Sequence, residues 1–411
     1  MIGLGYVGLP TALGFADGGA RVIGVDTSAS RIAAIAAGDV DAASVDPDEL
    51  IRILAGDALE LSVDPDVVAS ADVVIICVPT PVDQASVPDV TALRRACAAV
   101  VAQAQPGQLI ILTSTTYVGC TRALLTVPLE SRGFVVGRDI NVAFCPERLN
   151  PGSSVLAQAS VPRVVGGATP ACSQAAEELL RRICPSIHIV SSPEAAELSK
   201  LIENTFRAVN IALANEFAEA SRVLGVDTVE ALDAAASKPY GYMPFQPGPG
   251  VGGHCIPCDP HYLLWRLRAE QVHSPLIEQA MATLAVRPAR VAERAGEVLA
   301  TRGQALDGAR IGLIGLSYKP GVKDVRESPA LVLADLLRRA GATVTAHDPV
   351  VGCDVVDVAG NLLPNVLCPR PDSFDLAVVM TLHPGVDHGW LEGVPLVLDA
   401  TYRLEPTGSV V

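Results

Sequence analysis

A glycine pattern at the start of the chain restricts its fold more than any other feature. Gly3, Gly5 and Gly8 form G-x-G-x-x-G at the beginning of a predicted helix. The next segment, residues 21–26, predicts a strand that ends in Asp26. Glycines at this spacing let a pyrophosphate approach the helix N-terminus, and the acid accepts a hydrogen bond from a ribose hydroxyl. We therefore expect a Rossmann-like unit for NAD, because Asp26 would repel the extra phosphate of NADP.

Two details of this unit stay open at the level of sequence. Only Met1 and Ile2 precede the first glycine, which is too short for a strand of about five residues, so we expect further residues in the natural chain. Arg31 lies one turn into the following helix. It packs on the adenosine end of NAD or projects into solvent, and the sequence favours neither.

Further segments alternate between strand and helix patterns. Residues 71–78, 108–112 and 141–144 are almost continuously apolar, as expected of a parallel sheet covered on both faces. Helical stretches such as residues 90–103 separate them. This alternation predicts a doubly wound α/β domain, in which ligands bind beside the carboxyl ends of the strands.

Each of these three strands ends in a polar or proline-containing segment. The segments are Pro79-Thr80-Pro81, Thr113-Ser114-Thr115-Thr116 and Cys145-Pro146-Glu147-Arg148. A turn that closes a strand would explain any one of them. Their recurrence at the expected ligand edge favours contacts with a cofactor or substrate.

Long helices begin near residue 193. Apolar residues at helical spacing predict a helix over residues 195–224, and another helical stretch covers residues 275–302. Lys200 and Asn204 lie four residues apart and therefore share one helix face. They are an ordinary surface pair or two groups that act on one ligand.

A second α/β unit begins at residue 309. A glycine turn, a helix over residues 328–340 and three apolar strands indicate a Rossmann-like order. The loop after the glycine turn carries three cations in a chain of net charge −15, namely Lys319, Lys323 and Arg326. This concentration of cations favours phosphate binding over a solvated turn.

These segments predict an α/β protein with two Rossmann-like doubly wound domains joined by a central long-helix domain. The expected limits are 1–190 for the NAD-binding domain, 191–302 for the central domain and 303–411 for the second nucleotide-binding domain.

The central segment contains a loop rich in glycine and proline, residues 248–260, which carries Cys255. A buried structural cysteine is the ordinary explanation of a lone thiol. A ligand-shaped loop with His254 beside the thiol and Asp259 four residues later favours a reactive one. Cys255 and Cys258 also resemble half of a zinc or redox site, but no second pair completes it, so we predict no metal.

Composition excludes several classes of function. The net charge of −15 argues against a nucleic-acid partner. No apolar run approaches the roughly 20 residues that span a bilayer, and the start lacks the pattern of a signal peptide. Ten dispersed cysteines suit reduced thiols. We therefore expect a cytoplasmic protein without a membrane partner.

The ordered motifs GLGYVGLP, VPTP, STTYVG, CPER, ELSKLIENTFRAVNIALANE, GPGVGGHCIPCDP and SYKPGVKDVRESP resemble the UDP-glucose/GDP-mannose dehydrogenase family along nearly the whole chain. This family oxidises carbon 6 of a nucleotide sugar to a uronic acid with NAD, in reactions such as those of polysaccharide biosynthesis. The resemblance implies that Cys255 is a nucleophile, and that Lys200, Asn204 and Asp259 work with it. It also implies that Glu147 acts on the hydrolytic water, which Thr115 holds.

The resemblance implies two further sets of contacts. The expected cofactor contacts are Gly3, Gly5, Tyr6, Val7, Gly8, Asp26, Arg31, Pro79, Thr80, Thr115 and Arg326. The expected substrate contacts are Glu147, Arg148, Lys200, Asn204, Lys238, Tyr240, Tyr242, Gly252 and Lys319.

The implied chemistry makes sense of these residue types. Oxidation of an alcohol to an acid needs two hydride transfers, and a thiohemiacetal on Cys255 would retain the aldehyde between them. The resulting thioester is then hydrolysed, with Glu147 as the expected base. Lys200 and Asn204 would stabilise the oxygen as charge develops.

The substrate is less certain than the reaction. The CPER and GVGGHC motifs resemble most the branch of the family that acts on UDP-N-acetylglucosamine or UDP-N-acetylmannosamine. Oxidation of UDP- or dTDP-glucose is the alternative. Cys258 and Pro151 stand where many UDP-glucose enzymes have lysine and glutamate. A single-step hydroxy-acid dehydrogenase and a non-catalytic NAD-binding module are more remote alternatives. The long helix is apolar on more than one face, which together with the resemblance predicts a homodimer or larger homo-oligomer.

Overall fold

The computed structural model describes residues 1–40, 45, 47–83, 85–148 and 160–405. The chain divides into two compact units. The N-terminal unit comprises Met1–Glu203 and His261–Val272, and the C-terminal unit comprises Asn204–Pro260 and His273–Val411. Pro151, which stands where many UDP-glucose enzymes have glutamate, lies outside the described residues.

The N-terminal unit alternates strands and helices as the sequence predicts. Its strands are β1 (Val22–Val25), β2 (Leu59–Ser62), β3 (Val73–Ile76), β4 (Leu109–Leu112), β5 (Asn141–Phe144), β6 (Arg163–Gly167) and β7 (Ile187–Val190). Its helices are α1 (Gly8–Asp17), α2 (Ala29–Ala36), α3 (Pro47–Leu54), α4 (Thr91–Gln103), α5 (Val127–Ser131) and α6 (Pro170–Leu180).

Five strands of this unit form a sheet in the order β3-β4-β5-β6-β7, and β1 pairs with β2. Ile2 makes parallel bridges to Val25 and Ile76, so it occupies the place of a first strand between the two groups. Among the described ladders of the sheet, β5–β6 is antiparallel and the others are parallel.

Both faces of this sheet are buried. Side chains alternate along each strand, so Ile75 and Ile111 join one apolar cluster with α1, while Ile110 and Leu112 join another with α4. Layers on both faces explain why the strands are continuously apolar.

The C-terminal unit contains the second sheet, with the order β13-β12-β8-β9 and parallel ladders. Its strands are β8 (Arg310–Ile314), β9 (Thr343–His347), β10 (Val355–Val356), β11 (Leu362–Leu363), β12 (Leu376–Val379) and β13 (Val397–Asp399). The remaining helices are α7 (Pro193–Leu224), α8 (Thr228–Ala236), α9 (Asp259–Ala269), α10 (Pro275–Ala285), α11 (Arg287–Ala300) and α12 (Pro329–Arg339). Two of the three limits between the units fall inside α7 and α9, and the third lies between α9 and α10.

The predicted fold class is confirmed, with one local error. The helical stretch expected over residues 275–302 is two helices, α10 and α11, which meet at Val286. Pro288 stands in the first turn of α11, where its missing N–H is tolerated, whereas inside a continuous helix it would break a hydrogen bond.

Candidate active site

The glycine pattern of the N-terminal unit forms a tight turn with an open side. A Cβ on Gly3, whose φ is +89°, would lie 2.2 Å from the carbonyl oxygen of Cys77. A Cβ on Gly8 would lie 1.9 Å from the carbonyl oxygen of Gly3. By contrast, a Cβ on Gly5 would find no such neighbour within 4 Å. The half-buried residues between Gly5 and Gly8 are Tyr6 and Val7. This turn fits a pyrophosphate at the N-terminus of α1, as NAD requires.

Asp26 holds the turn from the end of β1. Its Oδ2 accepts a hydrogen bond from the backbone N–H of Leu4 at 3.0 Å, and its Oδ1 accepts one from Ser28 at 2.9 Å. The Arg31 side chain donates from Nε to the carbonyl oxygen of Leu4 at 3.1 Å. Arg31 thus contacts the glycine turn itself, which neither of the two sequence interpretations anticipated. Asp26 is only half-buried, so its carboxylate remains within reach of a ligand.

The polar segments after β3 and β4 are partly structural. The Thr113 hydroxyl donates to the carbonyl oxygen of Ile76 at 2.9 Å, and the Ser114 hydroxyl donates to that of Val78 at 2.8 Å. These two side chains tie the ends of adjacent strands together. Thr115 follows them as a half-buried residue and is the proposed ligand contact of this segment.

The Pro79-Thr80 segment is anchored by a buried aromatic residue. The Tyr262 hydroxyl donates to the carbonyl oxygen of Thr80 at 3.1 Å, and Tyr262 is fully buried. Thr80 is itself buried, whereas Pro79 is exposed.

Glu147, after β5, lies in a dense polar cluster. Its Oε2 forms an ion pair of 2.9 Å with Nη1 of Arg163, and its Oε1 accepts the backbone N–H of Arg148 at 2.8 Å. The Nζ of Lys200 donates to the carbonyl oxygen of Glu147 at 2.8 Å. The Arg148 guanidinium contacts Glu203 and the carbonyl oxygen of Pro162. The structure therefore brings three predicted residues together and adds Arg163.

Glu197 is a buried acid that the sequence analysis missed. It accepts hydrogen bonds from the N–H groups of Gly119 and Thr121 and from the Thr121 hydroxyl. Burial raises its pKa to about 7, although these hydrogen bonds act in the opposite direction. The contacts attach the start of α7, three residues before Lys200, to the segment after β4.

In the C-terminal unit, the cysteine loop closes on the start of α9. The backbone N–H of Asp259 donates to the carbonyl oxygen of Cys255 at 2.9 Å, and that of Cys258 donates to the same oxygen at 3.3 Å. The amide of Asn204 donates to Oδ2 of Asp259. Cys255 is exposed, whereas Cys258 and Asp259 are buried. The side chain of Cys255 is therefore accessible, whereas that of Cys258 is packed in the interior.

Tyr318 supports the same loop. A Cβ on Gly253, whose φ is +73°, would lie 2.7 Å from the Tyr318 ring. A Cβ on Gly252 would lie 2.6 Å from the Tyr318 Cβ. The N–H of Gly253 also donates to the carbonyl oxygen of Arg326 at 3.0 Å. Only glycine permits this approach between the cysteine loop, residues 248–260, and the basic loop that carries Lys319, Lys323 and Arg326.

The basic loop presents two different cations. Burial and the neighbouring Arg207 lower the pKa of Lys319. Arg326 forms an ion pair of 2.7 Å with Asp324. Burial and Arg326 also lower the pKa of His254 in the cysteine loop.

A buried pair fixes the start of this loop. Asp348 accepts the backbone N–H groups of Leu316 at 2.7 Å and Ser317 at 3.2 Å. The Nε2 of His383 lies 3.1 Å from the same carboxylate oxygen, and its Nδ1 accepts the N–H of Gly321 at 3.0 Å. The tautomer assigned by these contacts carries its proton on Nε2.

The predicted contacts before the cysteine loop lie at the surface. The Nζ of Lys238 lies 4.8 Å above the centre of the Tyr240 ring, and Tyr240 is 72% exposed. Tyr242 is half-buried.

Comparison with known proteins decides the family. The NAD binding domain of the UDP-glucose/GDP-mannose dehydrogenase family matches residues 1–184, its central domain matches 194–283 and its UDP binding domain matches 312–404. The chain belongs to this family. It is an NAD-dependent nucleotide-sugar dehydrogenase.

The relatives agree with this assignment. The UDP-N-acetyl-D-mannosamine dehydrogenase of Escherichia coli (strain K12) is 35% identical over 356 residues, which cover 82% of this chain and 81% of the relative. The UDP-N-acetyl-D-glucosamine 6-dehydrogenase of Pseudomonas aeruginosa is 34% identical, with 86% and 83% covered. A solved UDP-D-ManNAc dehydrogenase from Pyrococcus horikoshii is 32% identical, has a TM-score of 0.88, and covers 100% of this chain and 97% of its own.

The described residues of the dehydrogenase contain neither a candidate metal site nor a candidate membrane span. Within the described residues, no group of three or more histidine, cysteine, aspartate or glutamate side chains could hold a metal ion. In the same part of the chain, no helix has the length and apolar character needed to cross a membrane.

Proposed function

We propose that this dehydrogenase oxidises carbon 6 of a UDP-N-acetylhexosamine to the carboxylate. The names of the relatives from Escherichia coli and Pseudomonas aeruginosa support an N-acetylated sugar. The GVGGHC motif that contains Cys255 supports the same branch of the family, which acts on N-acetylated sugars. Oxidation of UDP- or dTDP-glucose is the alternative, and a panel of nucleotide sugars distinguishes the two.

The placement of Cys255 supports the proposed reaction most directly. The residue is exposed on a loop that closes on the buried N–H of Asp259, so the backbone that carries the thiol is held while the thiol is accessible. In the proposed reaction the thiol adds to the aldehyde carbon and forms a thiohemiacetal. Loss of a hydride and a proton then gives a thioester on Cys255. NAD, when bound, accepts the hydride in each of the two oxidations.

Three residues are proposed to assist these steps. Asp259 orients the Asn204 amide through their hydrogen bond. The second N–H of this amide is thereby directed for donation to the reacting oxygen. Lys200 supplies a cation that balances charge on the same oxygen.

Hydrolysis of the thioester is assigned to the polar cluster after β5. Glu147 accepts a proton from the attacking water, and Thr115 holds that water. The thiolate of Cys255 leaves as the carbon–sulfur bond breaks, and the product is the uronic acid. The remaining proposed substrate contacts are Arg148, Lys238, Tyr240, Tyr242, Gly252 and Lys319. The remaining proposed cofactor contacts are Gly3, Gly5, Tyr6, Val7, Gly8, Asp26, Arg31, Pro79, Thr80 and Arg326.

A substrate panel tests the proposed reaction. The protein is incubated with NAD and, one at a time, with UDP-N-acetylglucosamine, UDP-N-acetylmannosamine, UDP-glucose or dTDP-glucose. We expect two NADH per molecule of an N-acetylated sugar and a product mass that corresponds to the acid. One NADH per sugar with a released aldehyde would refute the two-step reaction, and preference for a glucose nucleotide would refute the branch.

Cys255→Ser tests the nucleophile. We expect turnover to the acid to fall by about 10³-fold while NAD affinity is retained, because the change removes the thiolate but not the NAD-binding turn. Steady-state NADH formation and calorimetric NAD binding provide the readouts. Cys353→Ser, at another exposed cysteine, is the matched control and should leave both values unchanged. Unchanged turnover in Cys255→Ser would exclude the covalent mechanism.

We also infer a homodimer. Large apolar side chains on α7 are partly exposed, namely Phe206, Leu213, Phe217 and Leu224. Partner chains commonly cover surfaces of this kind. Sedimentation over a range of concentrations should give a dimer, and a monomer throughout would contradict the inference. The dispersed cysteines support a reducing, cytoplasmic location.

A further inference from the structure

The reversed strand of the N-terminal sheet brings an unanticipated arginine to Glu147. In the antiparallel β5–β6 ladder, Ala143 lies opposite Gly167 and Phe144 lies opposite Gly166. Three residues beyond Phe144 is Glu147, and three residues before Gly166 is Arg163. The register therefore continues to Glu147 opposite Arg163, although the ladder itself has ended. A parallel strand at this place would run in the other direction and would not bring its first residue there.

The contact is short and almost removed from solvent. Nη1 of Arg163 lies 2.9 Å from Oε2 of Glu147, and the two side chains are 14% and 12% exposed. Burial alone would lower the pKa of Arg163, but the charge of Glu147 and the contact with Cys145 raise it. Arg163 is thus a permanent cation beside the carboxylate.

Other contacts fix the remaining sides of the same glutamate. Its Oε1 accepts the N–H of Arg148, and its carbonyl oxygen accepts Nζ of Lys200. Each carboxylate oxygen can accept two hydrogen bonds, so contacts among the described residues leave one accepting position per oxygen. The carboxylate is held in one orientation and can still receive a proton from water.

Stability alone is a weak reason for such a pair. The cost of removing both charges from water commonly offsets the attraction between buried ions, and apolar replacements are often as stable. We propose that Arg163 is a positioning residue, which orients the Glu147 carboxylate for proton transfer during hydrolysis of the thioester. This inference rests on the proposed function of Glu147 and adds the group that controls it.

The role proposed for Arg163 is confined to hydrolysis of the thioester. The water oxygen forms a bond to the thioester carbon, the carbon–sulfur bond breaks, and the thiolate leaves with the electron pair. Glu147 accepts the proton of the water while Arg163 keeps its own protons. Both hydride transfers precede this step, so loss of Arg163 should leave them intact and slow only the release of the acid.

Pre-steady-state measurements on the full-length protein test this separation. In Arg163→Gln we expect a burst of two NADH per active site, followed by turnover that is about 10- to 100-fold slower. Intact mass spectrometry should then find the acylated protein, with the adduct on Cys255. Arg163→Lys keeps the cation and should recover part of the rate. Arg181→Gln is the matched control, because this exposed arginine pairs with Glu177 on α6 and should behave as wild type.

A double-mutant cycle decides whether Arg163 acts through Glu147. Glu147→Gln should accumulate the acylated protein, and adding Arg163→Gln to it should change the hydrolysis rate by less than about 3-fold. The double variant also removes both buried charges, so it remains informative if Arg163→Gln alone folds poorly. Rate losses that multiply in the double variant would overturn the positioning role.

Two further outcomes separate the role of Arg163 from that of Glu147. Slow turnover of Arg163→Gln without a burst, or without acylated protein, would overturn the inference while leaving Glu147 as the base. Absence of acylated protein in Glu147→Gln itself would remove the proposed base and the inference together.

Discussion

In both units of this protein a glycine turn, a helix and a strand are followed by an aspartate, but the two aspartates have different tasks. In the N-terminal unit, Asp26 after β1 accepts two backbone N–H groups and remains half-buried. In the C-terminal unit, Asp348 after β9 is fully buried and accepts the N–H groups of Leu316, Ser317, Val350 and Val351 as well as His383.

The difference lies in what remains for a ligand. Asp26 supports the glycine turn and, as a half-buried residue, is the proposed contact for a ribose. Asp348 is fully occupied by its own loop. Nucleotide recognition in the C-terminal unit must therefore come from other groups, and Lys319 on the loop that Asp348 and His383 hold is the proposed one. Similar topology thus does not imply similar ligand contacts.

Removing the charge of Asp348 should have the largest effect. Asp348→Asn leaves buried N–H groups poorly paired, and we expect a loss of about 3 kcal/mol in the free energy of unfolding. Trp390 packs against His347 and Phe374 in the C-terminal unit. Its fluorescence in a Trp265→Phe background reports urea unfolding of that unit. NAD affinity should be unchanged, and a loss of NAD affinity without a loss of stability would contradict a purely structural role for Asp348.

The same acid predicts a pH dependence. Burial would raise the pKa of Asp348, but the hydrogen bonds from His383, Val351 and Leu316 lower it from 3.8 to about 2. Because the folded pKa lies below the ordinary value, this stabilisation is complete above that value and is lost as pH falls toward 2. It amounts to about 2.5 kcal/mol. Asp348→Asn should abolish this part of the acid sensitivity.

Asp26→Asn should have an intermediate effect, on binding rather than folding. The amide oxygen can still accept an N–H group, so we expect the free energy of unfolding to change by less than about 1 kcal/mol. NAD affinity should fall by about 10-fold, and discrimination against NADP should decrease as the repelling charge is lost. Calorimetric titration with both cofactors measures this. A stability loss as large as that of Asp348→Asn would show that the two acids are equivalent.

His383 variants should have the smallest effect and separate its two contacts. In His383→Asn the side-chain oxygen can replace Nδ1 as the acceptor for Gly321, whereas in His383→Gln the side-chain amide can replace the Nε2 donor to Asp348. His383→Gln loses the contact with Gly321, which lies in the basic loop. If this contact positions the loop, the variant should raise the KM for the nucleotide sugar by about 3- to 10-fold, and His383→Asn should raise it by less. The KM for NAD should stay constant. Equal changes in both KM values would argue for general destabilisation.

Much of the fold could be predicted from sequence because its signals are local. The continuous apolar strands, the glycine turns and the helical spacing around Lys200 each depend on neighbours within one element. One helical stretch was predicted over residues 275–302, but the structure has two helices there. Pro288 stands in the first turn of the second helix, where proline is tolerated, so it marks a helix start within a sequence that otherwise looks continuously helical.

The ion pair of Glu147 was beyond sequence reasoning for a different reason. Arg163 begins a short apolar strand and carries no motif of its own, and its partner depends on the reversed direction of β6. Asp348 likewise follows its strand much as Asp26 does, and nothing local indicates that four N–H groups surround it. Direction and burial are properties of the assembled sheet.

The local sequence establishes which groups are present and which element carries each one: a cysteine on a glycine-rich loop, a lysine and an asparagine one helical turn apart, and acids after strands. These follow from backbone preferences and short-range spacing. How each group is held depends on contacts that form in the folded protein, including Arg163 with Glu147, Asn204 with Asp259 and His383 with Asp348. Such contacts join residues far apart in the chain, and their strength depends on the exclusion of water, which arises only when the layers pack.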